Sequence, residues 1–329
     1  MNEKPSRRPR YAGRNPRTFA QKYKEHAPER YPEDVAKVLA SGRTPAGTHR
    51  PIMVHEVLDV LAPQAGETAM DCTLGYGGHA AALMAALQPG GRLIGLDVDP
   101  IELPKTEARL RALGFGTDVF TAYLMNYAGL EKVHSSPVDI VLADLGVSSM
   151  QLDDPERGFT FKHDGPLDLR MNRQRGKPAS ALLATLDEEA LAALLRENAD
   201  EPNAEGLARA MLQMPIETTA ELADVIWRAG VGDDALRRVF QALRIAVNDE
   251  FGALDAFLRN LPFCLKPGGR VAILSFHSGE DRRVKKAFQS GQREGIYSSV
   301  APTVVRPSHE EQRANPRSTS AKLRWARRT

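Results

Sequence analysis

The stretch from Gly66 to Pro100, GETAMDCTLGYGGHAAALMAALQPGGRLIGLDVDP, constrains the fold more than any other part of the chain. An apolar-weighted segment, Thr68–Cys72, runs into Gly75-Tyr76-Gly77-Gly78, and an alanine/leucine helix is predicted from His79 to Leu87. Pro89-Gly90-Gly91 ends that helix, and Arg92–Leu96 reads as a second strand closing on Asp97. Two parallel strands joined by a helix form a βαβ unit, whose ligand crevice lies beyond the carboxyl ends of the strands. Gly75, Gly77 and Gly78 carry no Cβ, which lets a ligand approach the backbone of the turn.

A dinucleotide is the first candidate for that crevice, because Asp97 follows Gly75 by 22 residues, near the roughly 20 expected of a ribose-binding acid. Three features oppose it. The glycines read G-x-G-G-H, with Ala80 where the third glycine of the dinucleotide fingerprint would fall. Asp71 ends the first strand, and its charge opposes a pyrophosphate at the helix N-terminus. A third acid, Asp144, belongs to the same rim. S-adenosylmethionine suits these acids better, since it brings a sulfonium and an ammonium and no phosphate. A βαβ turn with no ligand is the bland alternative.

A length of 329 residues allows one large or two ordinary domains. The two cysteines, Cys72 and Cys264, match no metal spacing and fit a reducing compartment. No apolar run approaches the ~20 residues of a membrane span, and no signal-like apolar core opens the chain. A cytoplasmic protein without a membrane partner is expected. The net charge of +2 hides an asymmetry: residues 1–50 hold 12 Lys/Arg against 5 Asp/Glu, and residues 312–329 hold 6 Lys/Arg and no acid. With +7 and +6 at the ends, the body between them carries −11. RRPRYAGRNPRTFAQKYK interleaves cations with Tyr11, Phe19 and Tyr23, which suits RNA: phosphates on the cations, bases on the rings. Solvated tails are the alternative. Residues 1–48 are expected to be a basic, disordered extension, with a short helix over Pro32–Ala40.

After Asp97 a helix over Thr106–Leu113 precedes a strand near Asp118–Tyr123, and Asn126-Tyr127 follow in a loop. Tyr127 falls on the rim of the glycine turn, either as a face for adenine or as a loop anchor. VDIVLA is an apolar strand ending on Asp144, and Leu145–Ser149 is a loop where this architecture carries chemistry. From Met150 the pattern changes. MQLDDPERGFTFKHDGPLDLRM collects Asp153, Asp154, Glu156, Asp164 and Asp168, and without EF-hand spacing it reads as a solvated loop, so no metal is expected. Helices follow over Asp187–Asn198, Asn203–Gln213 and Thr219–Ala229, the last opened by a capping box of Thr218 and Glu221. The expected organisation is a Rossmann-like α/β domain, residues 49–152 and 233–329, interrupted by an all-helical subdomain over 153–232. A long helical stretch, Asp233–Leu261, then leads to Pro267-Gly268-Gly269, a strand over Arg270–Phe276 and a basic helix. The final NPRSTSAKLRWARR combines hydroxyls and arginines, which are phosphate-contacting groups.

These phrases resemble the bacterial MraW/RsmH family of S-adenosylmethionine-dependent 16S ribosomal RNA cytosine N4-methyltransferases. HRPIMVHEVL, DCTLGYGGHA, RLIGLDVDP, DIVLADLGVSSMQLDDPERGFTFKHDGPLDLRM, FQALRIAVNDE, LKPGGRVAILSFHS, EDRRVK and NPRSTSAKLR carry the likeness over about residues 49–329. The resemblance implies methylation at N4 of cytidine 1402 in the decoding centre of the small ribosomal subunit, with 16S ribosomal RNA or the subunit as partner. It implies cofactor contacts at Gly77, Gly78, His79, Asp97, Tyr127, Asp144 and Gln151. The chain departs from the family pattern at Tyr127, usually Phe, at Met150, usually Pro, and at Gly279, usually Leu; the N-terminal extension lies outside it. Asp144 is the expected catalytic group, placed near sulfonium and amine. Two other classes compete: an NAD-dependent oxidoreductase, opposed by Asp71 and the missing third glycine, and a non-enzymatic RNA-binding assembly factor with a vestigial cleft.

Overall fold

The computed structural model describes residues 51–133 and 136–329; the basic N-terminal extension, its predicted disorder and its short helix lie outside the described residues. Helix α1 (Val54–Leu61) leads into β1 (Thr68–Asp71), and α2 (Gly78–Leu87) connects β1 to β2 (Arg92–Asp97). Then come α3 (Glu102–Ala112), β3 (Phe120–Leu124), a 3-10 turn over Tyr127–Lys132 and β4 (Val138–Asp144). A short α4 (Ser149–Asp153) opens the segment that leads into α5 (Ala179–Leu183), α6 (Glu188–Ala199), α7 (Ala204–Met211), α8 (Thr219–Arg228) and α9 (Asp233–Asn248). The chain returns through α10 (Glu250–Cys264), β5 (Leu265–Ser275), α11 (Ser278–Arg293), β6 (Tyr297–Val300), α12 (His309–Ala314) and β7 (Lys322–Arg328).

The strands form one sheet in the order β3-β2-β1-β4-β5-β7-β6. β1 to β5 are parallel, and β7 runs antiparallel between β5 and β6. This is a Rossmann-like, doubly wound arrangement: the order runs outward from β1 to β3 and then jumps to the other side at β4. The crevice of such a sheet opens beyond the carboxyl ends of the strands flanking the jump, β1 and β4. Alternate strand residues feed two cores. Ala69, Leu93, Ile140, Leu142, Ala272 and Leu274 pack with α1, α2 and α3, while Met70, Ile94, Val141, Ala143, Val271 and Ile273 pack with α10 and α11. Burial on both faces is why VDIVLA is a continuous apolar run rather than an alternating one.

A third core belongs to the helical insertion and runs from Phe159 to Leu243. It continues past residue 232, because α9 turns its apolar face (Leu236, Val239, Phe240, Leu243) into the insertion rather than onto the sheet. The capping box of Thr218 and Glu221 forms as the spacing predicts. The helical stretch expected over Asp233–Leu261 is two helices, broken at Asp249 in the left-handed region (φ 49°). Asn248 fixes that break: its side-chain amide donates to Leu169 O and Arg244 O and accepts from the Met171 N–H. β5 starts at Leu265, earlier than expected, because Pro267-Gly268-Gly269 forms an irregularity inside the strand rather than a loop before it.

Candidate active site

The turn after β1 is shaped by the protein as much as for a ligand. Gly77 (φ 80°) precedes α2, and a Cβ there would stand 3.0 Å from Thr106 Cγ2. At Gly78 a Cβ would fall 2.2 Å from Pro51 Cγ, so the missing side chain here makes room for Pro51. Gly75 is different: a Cβ would meet nothing nearer than Thr73 O at 3.7 Å. The sequence pattern could not separate these roles, since each is set by contacts with residues distant in the chain. Thr106 Oγ1 donates to Gly75 O (2.6 Å), and Arg109 stacks its guanidinium 3.5 Å above the Tyr76 ring.

Asp71 at the end of β1 is 1% exposed, and its Oδ1 accepts the Thr73 N–H. Its Oδ2 is buried and makes no hydrogen bond. Burial, reinforced by Asp144 and Asp97, outweighs His79 and the Thr73 N–H and pushes this carboxyl up to about 6. Asp97, ending β2, accepts from Gly75 N (2.7 Å) and Asp99 N (2.8 Å), so it also ties the glycine turn to the next loop. Burial, chiefly, pushes it up to about 6 as well.

Asp144 ends β4, and its backbone N–H donates to Thr73 Oγ1 (2.6 Å), locking the ends of β1 and β4 together. His79, on the first turn of α2, brings Nε2 to 3.6 Å from Asp144 Oδ2. Burial alone would lower the His79 pKa, but Asp144, Asp71 and Glu311 prevail and raise it. Asp144 Oδ1 and His79 Nε2 are buried and make no hydrogen bond. The rim therefore presents three acids on adjacent strand ends, two of them with buried oxygens that nothing among the described residues satisfies. Such atoms are costly unless a ligand meets them. Both cysteines are buried: burial, then Asp71, pushes the Cys72 thiol well up, and burial, then Glu131, raises Cys264 to about 11. Neither is a thiolate nucleophile at neutral pH.

The other predicted positions lie around this rim but are engaged by the protein. Tyr127 packs edge-on against Phe257 (5.5 Å, 83°) with its hydroxyl 3.5 Å from Glu250 O, as the loop-anchor reading expects. Gln151 completes the capping box of α4, accepting from the Ser148 N–H, and donates to Asp99 Oδ2 (2.8 Å). Met150 beside it is buried. Where the family pattern has Leu, Gly279 leaves room for Phe251, whose Cζ would be 2.6 Å from an added Cβ.

Sequence reasoning missed the buried pair Asp99–Arg157. Asp99 caps α3 through the Ile101 and Glu102 N–H groups and takes Arg157 Nη1 at 2.7 Å; Arg157 Nη2 donates to Arg170 O and Met171 O. The acidic segment after Met150 is thus solvated only in part: Glu156 and Asp164 are exposed, but Arg157 is buried. Asp168, also buried, holds Arg170 and Arg173. Two of the last segment's four arginines are already engaged by acids, while Arg327 is exposed. Arg317 pairs with Asp153 (2.6 Å) and Arg324 with Asp281 (2.6 Å), while Ser318 Oγ and Thr319 Oγ1 donate to their own turn. Asp153 and Asp281 stand far in sequence from their arginines, so no local spacing announces those pairs.

Comparison with known proteins places residues 46–329 within the sequence profile of the MraW methylase family. The chain is 50% identical over 341 residues to "Ribosomal RNA small subunit methyltransferase H 2" of Alkaliphilus metalliredigens, covering 98% of each chain. It is 48% identical to "Ribosomal RNA small subunit methyltransferase H 1" of Lachnoclostridium phytofermentans, covering 99% of this chain and 94% of that one. The extension that the family pattern leaves out is therefore shared with these relatives.

Proposed function

Since this chain belongs to the MraW methylase family, we propose that it transfers a methyl group from S-adenosylmethionine to N4 of a cytosine in small-subunit ribosomal RNA, cytidine 1402 of the 16S molecule. The observation that carries this reading is the rim of Asp71, Asp97 and Asp144 with its buried, unsatisfied oxygens. Three acids forced together favour a cationic ligand and disfavour a pyrophosphate, which argues against a nicotinamide cofactor. S-adenosylmethionine fits: its ammonium and sulfonium would meet Asp71 and Asp144, and its ribose hydroxyls would meet Asp97. When bound it supplies an electrophilic methyl group.

The protein's own share is positioning and charge. A pyrimidine carbon would need a thiolate to activate the ring, and the buried, protonated cysteines argue against that target. An exocyclic amine needs only alignment and an acceptor for its protons. Asp144 and the Gly146–Ser149 loop are our candidates for lining that position. A target base within RNA structure has to be splayed out to reach them.

The test is methyl transfer from labelled S-adenosylmethionine to small subunits and to isolated 16S RNA, with nucleoside analysis of the product. N4-methylcytidine at one position is the expected result. A 5-methylated product, or none, refutes the reading. Calorimetric titration with S-adenosylmethionine and NAD separates the oxidoreductase alternative.

A further inference from the structure

A second polar cluster lies on the same rim, one strand away from Asp144. Asp144 pairs with Leu274 across β4 and β5, and His277 follows three residues later as the residue capping α11. Its side chain is 10% exposed, and neither ring nitrogen makes a hydrogen bond. Nε2 stands 3.3 Å from Glu280 Oε1. Glu280 is itself buried, and its other oxygen accepts the Phe276 N–H at 3.0 Å, which fixes the carboxylate relative to the strand end. Burial would raise the Glu280 pKa, but His277, Arg244 and the Phe276 N–H outweigh it and keep the group ionised.

The surroundings exclude two simpler roles. Glu250, His277 and Glu280 converge closely enough to hold a cation, but Arg244 already clamps both oxygens of Glu250 at 2.7 and 2.9 Å and supplies that charge. A buried packing histidine would find a partner for both ring nitrogens. His277 instead turns Nε2 toward the Glu280 carboxylate and leaves Nδ1 buried without a hydrogen bond among the described residues, with one ring face toward Phe251 (ring centroids 5.8 Å apart). Arg283 covers the Phe251 ring at 3.6 Å. On α11, Arg282 and Ser278, with a smaller contribution from His277, hold the insertion's Asp200 below the usual carboxylate range. His277 thus lies where the sheet's rim meets the helical insertion. An imidazole backed by a fixed carboxylate is the usual form of a positioned proton acceptor.

We propose that His277 accepts the proton given up by the target amine, with Glu280 as the residue that positions its ring; this rests on the methyl-transfer reading above. As N4 methylates, the amine's lone pair forms the bond to the methyl carbon, and the electron pair of the breaking carbon–sulfur bond stays on sulfur. The methylated nitrogen then carries a positive charge and releases one proton. His277 takes it on a ring nitrogen, and the imidazolium is held by Glu280 until it loses the proton to solvent.

Single-turnover methyl transfer, calorimetric affinity for S-adenosylmethionine and thermal midpoint are measured for the wild type, His277→Ala and His277→Gln. Both variants should lose about 10²–10⁴-fold in rate, the range of a positioned acid–base group. Affinity for S-adenosylmethionine should stay within threefold, and added imidazole should restore the rate of the alanine variant at least tenfold. His277→Gln keeps the packing volume and covers the case in which His277→Ala does not fold. A rate within threefold of wild type in either variant overturns the proposal, as does a folded, cofactor-binding alanine variant that imidazole does not rescue. A wild type that methylates nothing refutes the methyl-transfer reading itself, which sets that failure apart from this one.

Discussion

Replacing Asp71 with Asn should make the free protein more stable and the cofactor weaker, and the structure sets the size of the first effect. The carboxyl moves from its ordinary 3.8 to about 6 on folding. Two pK units correspond to about 3 kcal/mol that the folded state forgoes by keeping Asp71 charged at neutral pH. The sign follows from proton binding: the folded state holds the proton more tightly, so wild-type stability rises as pH falls through 6 and levels off near 3.8. Between pH 8 and pH 5 the gain from this one group is about 1.4 kcal/mol. His79 acts in the same direction, because Asp71 helps raise its pKa and that support is lost in the variant. Urea denaturation of both proteins at pH 5, 6, 7 and 8 reads the difference directly. Asp71→Asn should be more stable at pH 8 by up to ~3 kcal/mol, and the gap should narrow on acidification. Calorimetry at pH 7.5 should show affinity for S-adenosylmethionine reduced at least tenfold. A gap that is constant between pH 8 and pH 5, or a variant less stable than wild type at pH 8, would refute the claim that Asp71 is held charged against its burial.

Three further substitutions divide the rim by role. Asp97→Asn removes the charge and turns an amide toward the Gly75 and Asp99 N–H groups, so affinity for S-adenosylmethionine should fall by at least tenfold, about 1.5–3 kcal/mol, with the wild-type fold retained by circular dichroism. Asp144→Asn should bind S-adenosylmethionine within a few-fold but lose about 10²–10⁴ in turnover; recovery of the rate at saturating cofactor would assign Asp144 to the cofactor instead. Arg157→Met leaves Asp99 charged and buried without its guanidinium, which should cost about 3–5 kcal/mol in urea denaturation, and an unchanged midpoint would mean the pair contributes little.

The sheet was legible in the sequence because its determinants are local. Glycine turns, apolar runs buried on both faces and capping residues each act within a few positions, so β1, α2, β2, β4 and α8 form close to where the periodicity puts them. The strand-end acids were legible for the same reason: a charged residue closing an apolar strand can only sit at its rim. What could not be read were pairings across long separations. Arg157 reaches back 58 positions to Asp99, Asn248 holds Leu169 across 79, and Arg317 reaches Asp153 across 164. An acidic, turn-rich segment looks solvated until its arginine partners are placed, and NPRS looks like a phosphate loop until Asp153 is seen to hold its arginine. The break at Asp249 is hidden similarly, since Asn248 serves Leu169 and Met171 in the insertion as well as its own helix.

Hydrogen bonding then separates the acids that build this protein from those that remain for a ligand. Asp99 gives its oxygens to two backbone N–H groups, Gln151 and Arg157; Asp168 holds two arginines, and Glu250 is clamped by Arg244. These carboxylates are buried and satisfied, and a buried charge with its partners in place fixes one arrangement of the chain. Asp71 and Asp144 retain buried oxygens with no donor, beside a histidine that cannot satisfy both. Folding alone gives no reason to put Asp71 there, because an amide at that position would lower the energy of the free protein. In the proposed reading a cation entering between the ends of β1 and β4, where the strand order jumps, would offset the charge of both acids. The same criterion picks out His277 just past β5, whose Nδ1 is buried with no partner among the described residues, so the unsatisfied groups of the rim extend from the cofactor's expected position to that of the proposed base.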